Sequence, residues 1–95
     1  MSEFLRIAVA EAMFHGVLKV TWNDGYQGVV DLRGLIAEGD IFEHIRDPAN
    51  FARVRVESYG QLIYWGSEGA EEVDFGCDRL REIAEQQASL LVRAN

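Results

Sequence analysis

The segment from Asp40 to Pro48 holds the residues whose types and spacing are best suited to chemistry. Four polar side chains stand at positions i, i+3, i+4 and i+7 of this segment: Asp40, Glu43, His44, Asp47. Such positions fall on one face of an α-helix. Three carboxylates and one imidazole on a single face could bind a hard or borderline divalent cation. The spacing therefore raises the hypothesis of a metal-dependent enzyme that uses these four side chains.

The same residues have a structural explanation, which we favour. Asp40 and Glu43 have the spacing of a capping box, in which Asp40 accepts from the first turn of a short helix and Glu43 reaches back to the Asp40 amide. Asp47 before Pro48 is the usual order of an N-cap and a first helical residue. Only His44 then lacks a structural role. The apolar residues of the segment are expected to face the core: Ile41, Phe42, Ile45.

No other set of residues in the sequence has the arrangement of a catalytic centre. Cys77 lies near the start of the last predicted helix, but a nucleophile needs an adjacent base, so we expect Cys77 to pack. His15 precedes Gly16 in a predicted turn, with no second histidine placed to complete a ligand set. The acidic segment SEGAEEVD lacks the spacing of a calcium loop and is expected to be a solvated loop. We predict a protein that is not an enzyme and uses no cofactor or metal.

The charge of the chain disfavours a nucleic-acid-binding role. The 95 residues include 16 acidic side chains against 9 lysines and arginines, a formal net charge of -7, whereas duplex-binding domains present a basic patch. Arg53 and Arg55 are the two basic residues expected on one strand face. A nucleic-acid-binding regulator that uses them is therefore kept as a further alternative. An acidic surface is more compatible with a basic protein partner.

Length and cysteine content set further limits. A chain of 95 residues suits one small domain with one core, and we assign residues 1–95 to a single domain. The single cysteine permits no intrachain disulfide, which fits a cytoplasmic protein. No stretch of the sequence approaches the roughly 20 apolar residues needed to span a bilayer, so we expect no membrane association.

Alternation of apolar and polar residues predicts most of the strands. GVLKVTW and YQGVVDL flank Asp24-Gly25, a strong hairpin signal, and Gly28 indicates a bulge or a close approach of another element. EFLRIAVAEAMF should begin with a strand, and FARVRVES should pair with YGQLIYW. The expected fold class is α+β, with an antiparallel sheet of about five strands. Short helices occupy the crossover from the third strand to the fourth, and a helix ends the chain.

Several side chains have predicted positions in this fold. Gly39 should end a helical turn in the left-handed conformation. Trp22 and Trp65 should close the ends of the core, each with its indole nitrogen bonded to a carbonyl. Tyr64 lies on the strand face opposite Ile63 and should stand on the outer surface of the sheet.

The segment DRLREIAEQQASLLV predicts the C-terminal helix. Its stripe recurs at helical spacing with one polar interruption: Leu80, Ile83, Ala84, Gln87, Leu91. Leu90 widens the stripe. Because a small sheet that also receives the crossover helices has little room for this face, the distal half of the helix is expected to form a symmetric homodimer. Gln87 should lie at the edge of that contact.

The order of VTWNDG, VDL, IFEHIRDPANFARVRV, LIYW and VDF…RL resembles the bacterial family catalogued as domain of unknown function 2442. The resemblance covers about residues 5–82 and involves these positions: Gly39, Phe42, Ile45, Asp47, Pro48, Phe51, Val54, Val56, Trp65, Asp74, Leu80. Gly66 replaces the family's usual proline, the loop before Asp74 is longer, and the tail 83–95 exceeds the minimal family domain. The resemblance implies no catalytic activity. It implies a small partner protein, because some members stand in arrangements like toxin–antitoxin pairs.

These observations predict a non-catalytic protein-interaction module, with the antitoxin-like member of a bacterial two-protein pair as the finer hypothesis. The expected partners are a second copy of the chain and another protein of basic charge. The metal-dependent enzyme and the nucleic-acid-binding regulator remain the alternatives. The candidate partner-binding residues are these: Tyr64, Arg53, Arg55, Leu90, Leu91.

Overall fold

A first antiparallel sheet is built from the N-terminal third of the chain. The computed structural model describes residues 4–67 and 69–94, and the side chains of residues 91–94 lie outside that description. Strands β1 (Ile7–Phe14), β2 (Val17–Trp22) and β3 (Gln27–Asp31) form this sheet in the order β1-β2-β3. The predicted Asp24-Gly25 turn joins β2 to β3, with Gly25 at φ 90°. The three strands therefore form one continuous meander, with β1 and β3 at its edges.

A second antiparallel sheet follows a helical crossover. The crossover contains helix α1 (Arg33–Glu38), a 3-10 helix (Asp40–Arg46) and helix α2 (Pro48–Phe51). Strands β4 (Arg55–Val56), β5 (Leu62–Ser67) and β6 (Ala70–Gly76) then pair in the order β4-β5-β6, and helix α3 (Cys77–Ala94) closes the fold. The predicted α+β class with antiparallel pairing and a C-terminal helix is confirmed. The prediction of one sheet of about five strands is wrong, because the described strands divide into two sheets of three.

The additional strand comes from the acidic segment that was expected to be a loop. In β6, Glu71 and Glu72 are exposed, whereas Val73 and Phe75 are buried. The strand lies at a sheet edge, where charged residues are common and discourage further pairing. The alternation of buried and exposed residues begins only at Val73, after two exposed glutamates. For this reason the sequence pattern predicts a loop here and not a strand.

The two sheets meet where β1 passes the turn between β4 and β5. The Ile7 N–H donates to the Gly60 carbonyl at 2.8 Å. Gly60 has φ 70°, and a Cβ built on it would lie 2.7 Å from the Ile7 carbonyl oxygen. Conformation and space therefore both require glycine here. One core cluster takes residues from both sheets and from the helices, and its fully buried members include these: Leu18, Val20, Val30, Leu32, Ile45, Phe51, Ile63, Leu80.

The two tryptophans occupy the predicted positions in the core. Trp22 and Trp65 are both buried. The Trp65 indole N–H donates to the Phe51 carbonyl at 2.9 Å, and the Trp22 indole N–H donates more weakly to the Cys77 carbonyl at 3.4 Å. The first bond ties β5 to α2 and the second ties β2 to the start of α3, so the prediction of core tryptophans with bonded indoles is confirmed.

The crossover differs from its prediction at its first residues. Gly39 has φ -110° and ψ 129°, which is extended and not left-handed. The 3-10 helix takes Gly39 as its N-cap without a side-chain bond, so the predicted capping box on Asp40 is wrong. Ile41, expected in the core, is 77% exposed. A 3-10 helix has three residues per turn, which rotates Ile41 away from the buried Ile45.

The second predicted cap is present. Asp47 is the N-cap of α2, and its carboxylate accepts from the Ala49 N–H at 2.9 Å. Pro48 follows as the first helical residue. This one-turn helix places Phe51 in the core, where its ring lies 5.5 Å from that of Trp65. The Asp-Pro pair therefore fixes the start of α2, as its sequence predicted.

Tyr64 was expected on the outer surface and is only 4% exposed. It does lie on the sheet face opposite Ile63, with Arg55 and Asp74 as its direct neighbours in register. Because β5 is the central strand, neighbours on both sides flank the ring. Alternation predicted the correct sheet face for Tyr64 but not its burial. Because the side chain is buried, Tyr64 does not serve as a partner-binding residue.

Helix α3 has the predicted apolar face. Leu80 and Ala84 are buried, and Ile83 is partly buried against the core. The side chain of Leu91, predicted for the same stripe and for partner binding, lies outside the described residues. Among the helices described, none has the length and apolar character needed to cross a membrane.

The cap on α2 gives a first testable prediction. Asp47→Ala should lower the free energy of unfolding by about 0.5–2 kcal/mol, because the Ala49 N–H loses its acceptor. Asp40→Ala is the matched control, since no side chain caps the 3-10 helix, and it should stay within about 0.5 kcal/mol of wild type. Urea unfolding measures both variants. Equal losses would contradict the assignment of the cap to Asp47.

The junction of the two sheets gives a second testable prediction. Gly60→Ala should destabilise the protein more than Gly25→Ala. Both residues have positive φ, which costs an L-residue roughly 1–2 kcal/mol, but only Gly60 would also place its Cβ against the backbone of β1. Nothing lies within 4 Å of the corresponding position at Gly25. Thermal unfolding compares the two variants, and similar melting temperatures would show that the contact at Ile7 is not restrictive.

Candidate functional site

The cluster suggested by DIFEHIRDP does not form a ligand set. In a 3-10 helix, with about 120° per residue, Asp40 and Glu43 share a face and His44 is rotated away. Asp47 lies outside this helix, at the cap of α2. Across residues 4–67 and 69–94, no three His, Cys, Asp or Glu side chains are placed to hold a metal ion. The metal-site geometry proposed for these four residues is therefore wrong.

A concave surface lies between β3 and α3, and we call it the β3–α3 groove. Its volume is about 510 Å³. The strand side and the helix side are lined by the following residues: Tyr26, Gln27, Gly28, Val29, Asp31, Ala84, Gln87, Ala88, Leu90. Among the described lining residues, Asp31 is the one that is formally charged. The groove is thus a weakly charged surface on a chain in which 26% of residues are charged.

A close approach of helix to strand sets the depth of the groove. A Cβ built on Gly28 would lie 2.8 Å from the Ala84 Cβ, a separation that real Cβ atoms do not tolerate. Glycine on the strand and alanine on the helix therefore allow α3 to pack directly on β3. The sequence indicated a bulge or a close approach at Gly28, and the close approach is confirmed.

One turn further along α3, a side chain bonds the edge of β3. The Asp31 N–H donates to Gln87 Oε1 at 2.8 Å, and Gln87 Nε2 donates to the Asp31 carbonyl at 3.0 Å. The amide of Gln87 thus bonds both backbone groups of Asp31 as a neighbouring strand would. The expectation that Gln87 lies at the edge of a dimer contact stays a prediction, and within the chain Gln87 closes one end of the β3 edge.

Two apolar side chains of the groove are unusually open to solvent. Val29 is 50% exposed and Leu90 is 64% exposed. They belong to opposite walls, one on the strand and one on the helix. Fully burying a Val or Leu side chain is worth roughly 1.5–3 kcal/mol, so a chain that covered both would gain binding energy from them.

Ion pairs flank the groove at each end. Arg33 pairs with Asp31 at 2.7 Å, and Arg81 pairs with Asp24 at 3.0 Å and with Glu85. The hydrogen bond from Arg33 holds the pKa of the Asp31 carboxyl below its usual value, and the bond from Arg81 does the same to the pKa of Asp24. Both carboxyls therefore contribute stability above their ordinary pKa, and this contribution is lost as the pH falls through the lowered pKa of the folded state.

Arg81 also stacks on two aromatic rings. Its guanidinium carbon lies 4.1 Å from the Tyr26 ring centre and 5.2 Å from that of Trp22. Arg81 is thereby fixed against the end of the groove, with its charge already matched by Asp24 and Glu85. It positions Tyr26 as a wall and adds no free positive charge to the surface.

The predicted partner-binding residues do not form one site. Leu90 lines the groove, whereas Arg53 and Arg55 line a separate depression of about 260 Å³ that also contains His44. Neither arginine makes an ion pair within the part of the chain described. Two arginines neutralise about two phosphates, against the roughly 6–10 contacts of many duplex-binding proteins. The depression has the charge for a small anion and not for a duplex.

Cys77 and His15 have structural positions. Cys77 begins α3 and is buried, and this burial raises the pKa of its thiol. A raised pKa keeps the thiol protonated at neutral pH and unreactive. The His15 ring nitrogen lies 3.0 Å from the Ile45 carbonyl oxygen, which links the β1–β2 turn to the 3-10 helix.

The groove residues that sequence reasoning missed are Tyr26, Gln27, Val29, Asp31 and Ala88. Val29 was predicted only as part of a strand, and Ala88 lies off the apolar stripe of α3. A signal was available at Gly28, since a glycine inside a strand indicates close approach. It could not indicate which element approaches, because Gly28 and Ala84 are far apart in sequence.

The wall formed by Tyr26 gives a third prediction. Arg81→Lys should lower the free energy of unfolding by about 1 kcal/mol, because an ammonium cannot stack on both rings while bonding two carboxylates. Arg79→Lys is the control, since Arg79 is exposed two residues earlier on the same helix. Urea unfolding monitored by tryptophan fluorescence compares them. Indistinguishable midpoints would show that the stacking is dispensable.

Comparison with known proteins adds no relative. No family model, no curated protein and no solved structure matches the chain. The resemblance to domain of unknown function 2442 therefore stays a prediction from the residues quoted for it.

Proposed function

We propose that this protein is a non-catalytic protein-interaction module and that the β3–α3 groove is its contact surface. The observation that carries the proposal is that Val29 and Leu90, each half or more exposed, line the same groove, whose charged residue Asp31 is paired with Arg33. Elsewhere the chain is strongly acidic, with a net charge of -7. Exposed apolar side chains gathered in a concave surface are typical of protein contact sites.

The chemistry of the lining also favours binding over catalysis. Its carboxylate, on Asp31, is engaged by Arg33, and one of its two amides, on Gln87, is engaged by the Asp31 backbone. A general acid or base must be within reach of a substrate and hold a suitable pKa. These two groups instead serve the local structure, so they leave apolar surface for a partner.

The finer statements are inferred from the sequence. Antitoxin-like membership of a two-protein pair rests on the family resemblance, and a basic partner rests on the net charge. A basic protein would meet the acidic surface outside the groove, where Glu71 and Glu72 are exposed on the edge strand β6. A cytoplasmic location agrees with the single cysteine.

Affinity purification from the native host tests the proposal, with two matched variants. Val29→Glu places a charge in the groove, and Val9→Glu places the same charge on β1, where Val9 is 43% exposed outside the groove. A protein recovered with wild type and with Val9→Glu, but reduced at least about tenfold with Val29→Glu, would agree with an apolar contact at Val29. Circular dichroism checks that both variants fold.

Two outcomes would count against the proposal. The first is recovery of no protein, including a differently tagged second copy of the chain, in repeated purifications. The second is equal recovery with Val29→Glu and with Val9→Glu, because the groove would then not be the contact surface.

A further inference from the structure

The edge of β3 that faces the groove carries unpaired backbone groups. The Trp22 N–H donates to the Tyr26 carbonyl at 2.9 Å, and the Leu32 N–H donates to the Gly16 carbonyl at 2.7 Å. In an antiparallel ladder, bonded and non-bonded pairs alternate. Gly28 and Val30 therefore bond β2, whereas the backbone groups of Gln27, Val29 and Asp31 point away from it. The bonds from Gln87 to Asp31 confirm this direction.

Only two of these three residues are available to a new strand. The outward groups of Asp31 are taken by Gln87. Within the described residues, no hydrogen bond engages the outward N–H and C=O groups of Gln27 and Val29. The open edge is therefore a short site with two donors and two acceptors, and α3 forms the wall beside it.

The charge of the groove indicates which kind of chain can occupy it. A basic segment would gain nothing there, because Asp31 is already paired with Arg33 and the other lining residues are uncharged. An apolar and neutral strand is the complementary occupant. The β3 strand of a second copy, QGVVD, meets this requirement because its one charge, on Asp31, is already paired with Arg33.

We propose that two copies of this chain join through the β3 edges in an antiparallel, two-fold symmetric pair, with Gln27 opposite Val29 of the second copy. The inference rests on the proposed function and names its partner. A two-fold axis at Gly28 uses every free group of both edges in four hydrogen bonds. An axis at Val29 would set Gln27 against Asp31 and break both bonds made by Gln87.

This arrangement also covers the exposed helix residue. A two-fold axis perpendicular to the plane of the joined sheet keeps both α3 helices on the same face of that sheet. Leu90 lines the groove beside each edge, so the two Leu90-bearing helix segments come to the same junction. The open strand edge and the exposed distal helix are therefore explained by one contact.

Light scattering of the full chain tests the assembly. Wild type should show twice the chain mass of 10.7 kDa at high micromolar concentration. Val29→Pro should raise the dissociation constant by about ten- to a hundredfold, because each copy loses one outward donor. Proline is tolerated where an edge strand's N–H faces solvent, so the variant monomer should still fold. A monomeric wild type, or a folded Val29→Pro that dimerises equally well, would overturn the inference.

Disulfide trapping tests the proposed register, Gln27 opposite Val29 of the second copy. This test does not depend on whether Val29→Pro disturbs folding. Directly opposed, hydrogen-bonded residues have Cα atoms about 5.5 Å apart, within disulfide range. The double variant Gln27→Cys/Val29→Cys should oxidise to a covalent dimer on a non-reducing gel. Each single variant should not form this dimer, because its one new cysteine would lie opposite an unchanged Val29 or Gln27 of the second copy. Cys77 is buried and should not react. Equal crosslinking of the single variants would overturn the register.

Salt dependence separates a second copy from a basic partner. Each copy carries a net charge of -7, so screening should strengthen self-association, whereas it weakens the binding of a basic protein. A dimer that dissociates as salt is raised would overturn the neutral contact. If the chain is monomeric but Val29→Glu still abolishes recovery of another protein, the proposed function stands and this inference fails.

Discussion

The close approach of α3 to β3 is the constraint on which the rest of the site depends. Because Gly28 has no side chain, the helix can bring Ala84 directly against the strand. From that contact point, Gln87 reaches the Asp31 backbone and Arg81 reaches the Tyr26 ring. The helix is thus held at three successive turns. Its next turn, with Leu90, extends along the open strand edge and completes the groove.

Features with a local cause could be predicted from the sequence. The Asp24-Gly25 turn, the cap at Asp47 and the amphipathic face of α3 each depend on residues within a few positions of one another. Trp22 and Trp65 were also assigned correctly, because a large aromatic side chain at the end of a small sheet has few places other than the core. Such signals predict the elements of this α+β fold well.

Features that depend on distant residues could not be predicted in the same way. Alternation placed Tyr64 on the correct face but did not predict its burial on the central strand β5. Asp40 has the residues of a capping box, yet the 3-10 geometry of its helix removes the spacing that the motif needs. The division into two sheets and the groove itself arise from packing between segments that are widely separated along the chain.

The order of assembly follows from this separation. Each sheet is a meander of consecutive strands, so its pairings close short loops, which is entropically inexpensive. The bonds between Gln87 and Asp31 instead join residues 56 positions apart, so closing that loop costs more chain entropy. The sheets can therefore exist before the last helix docks, but the groove cannot. Fraying of α3 from β3 would also expose the whole β3 edge and its hydrogen-bonding groups, including those of Asp31, to solvent exchange. The β3–α3 groove is thus coupled to a local folding equilibrium of the final helix.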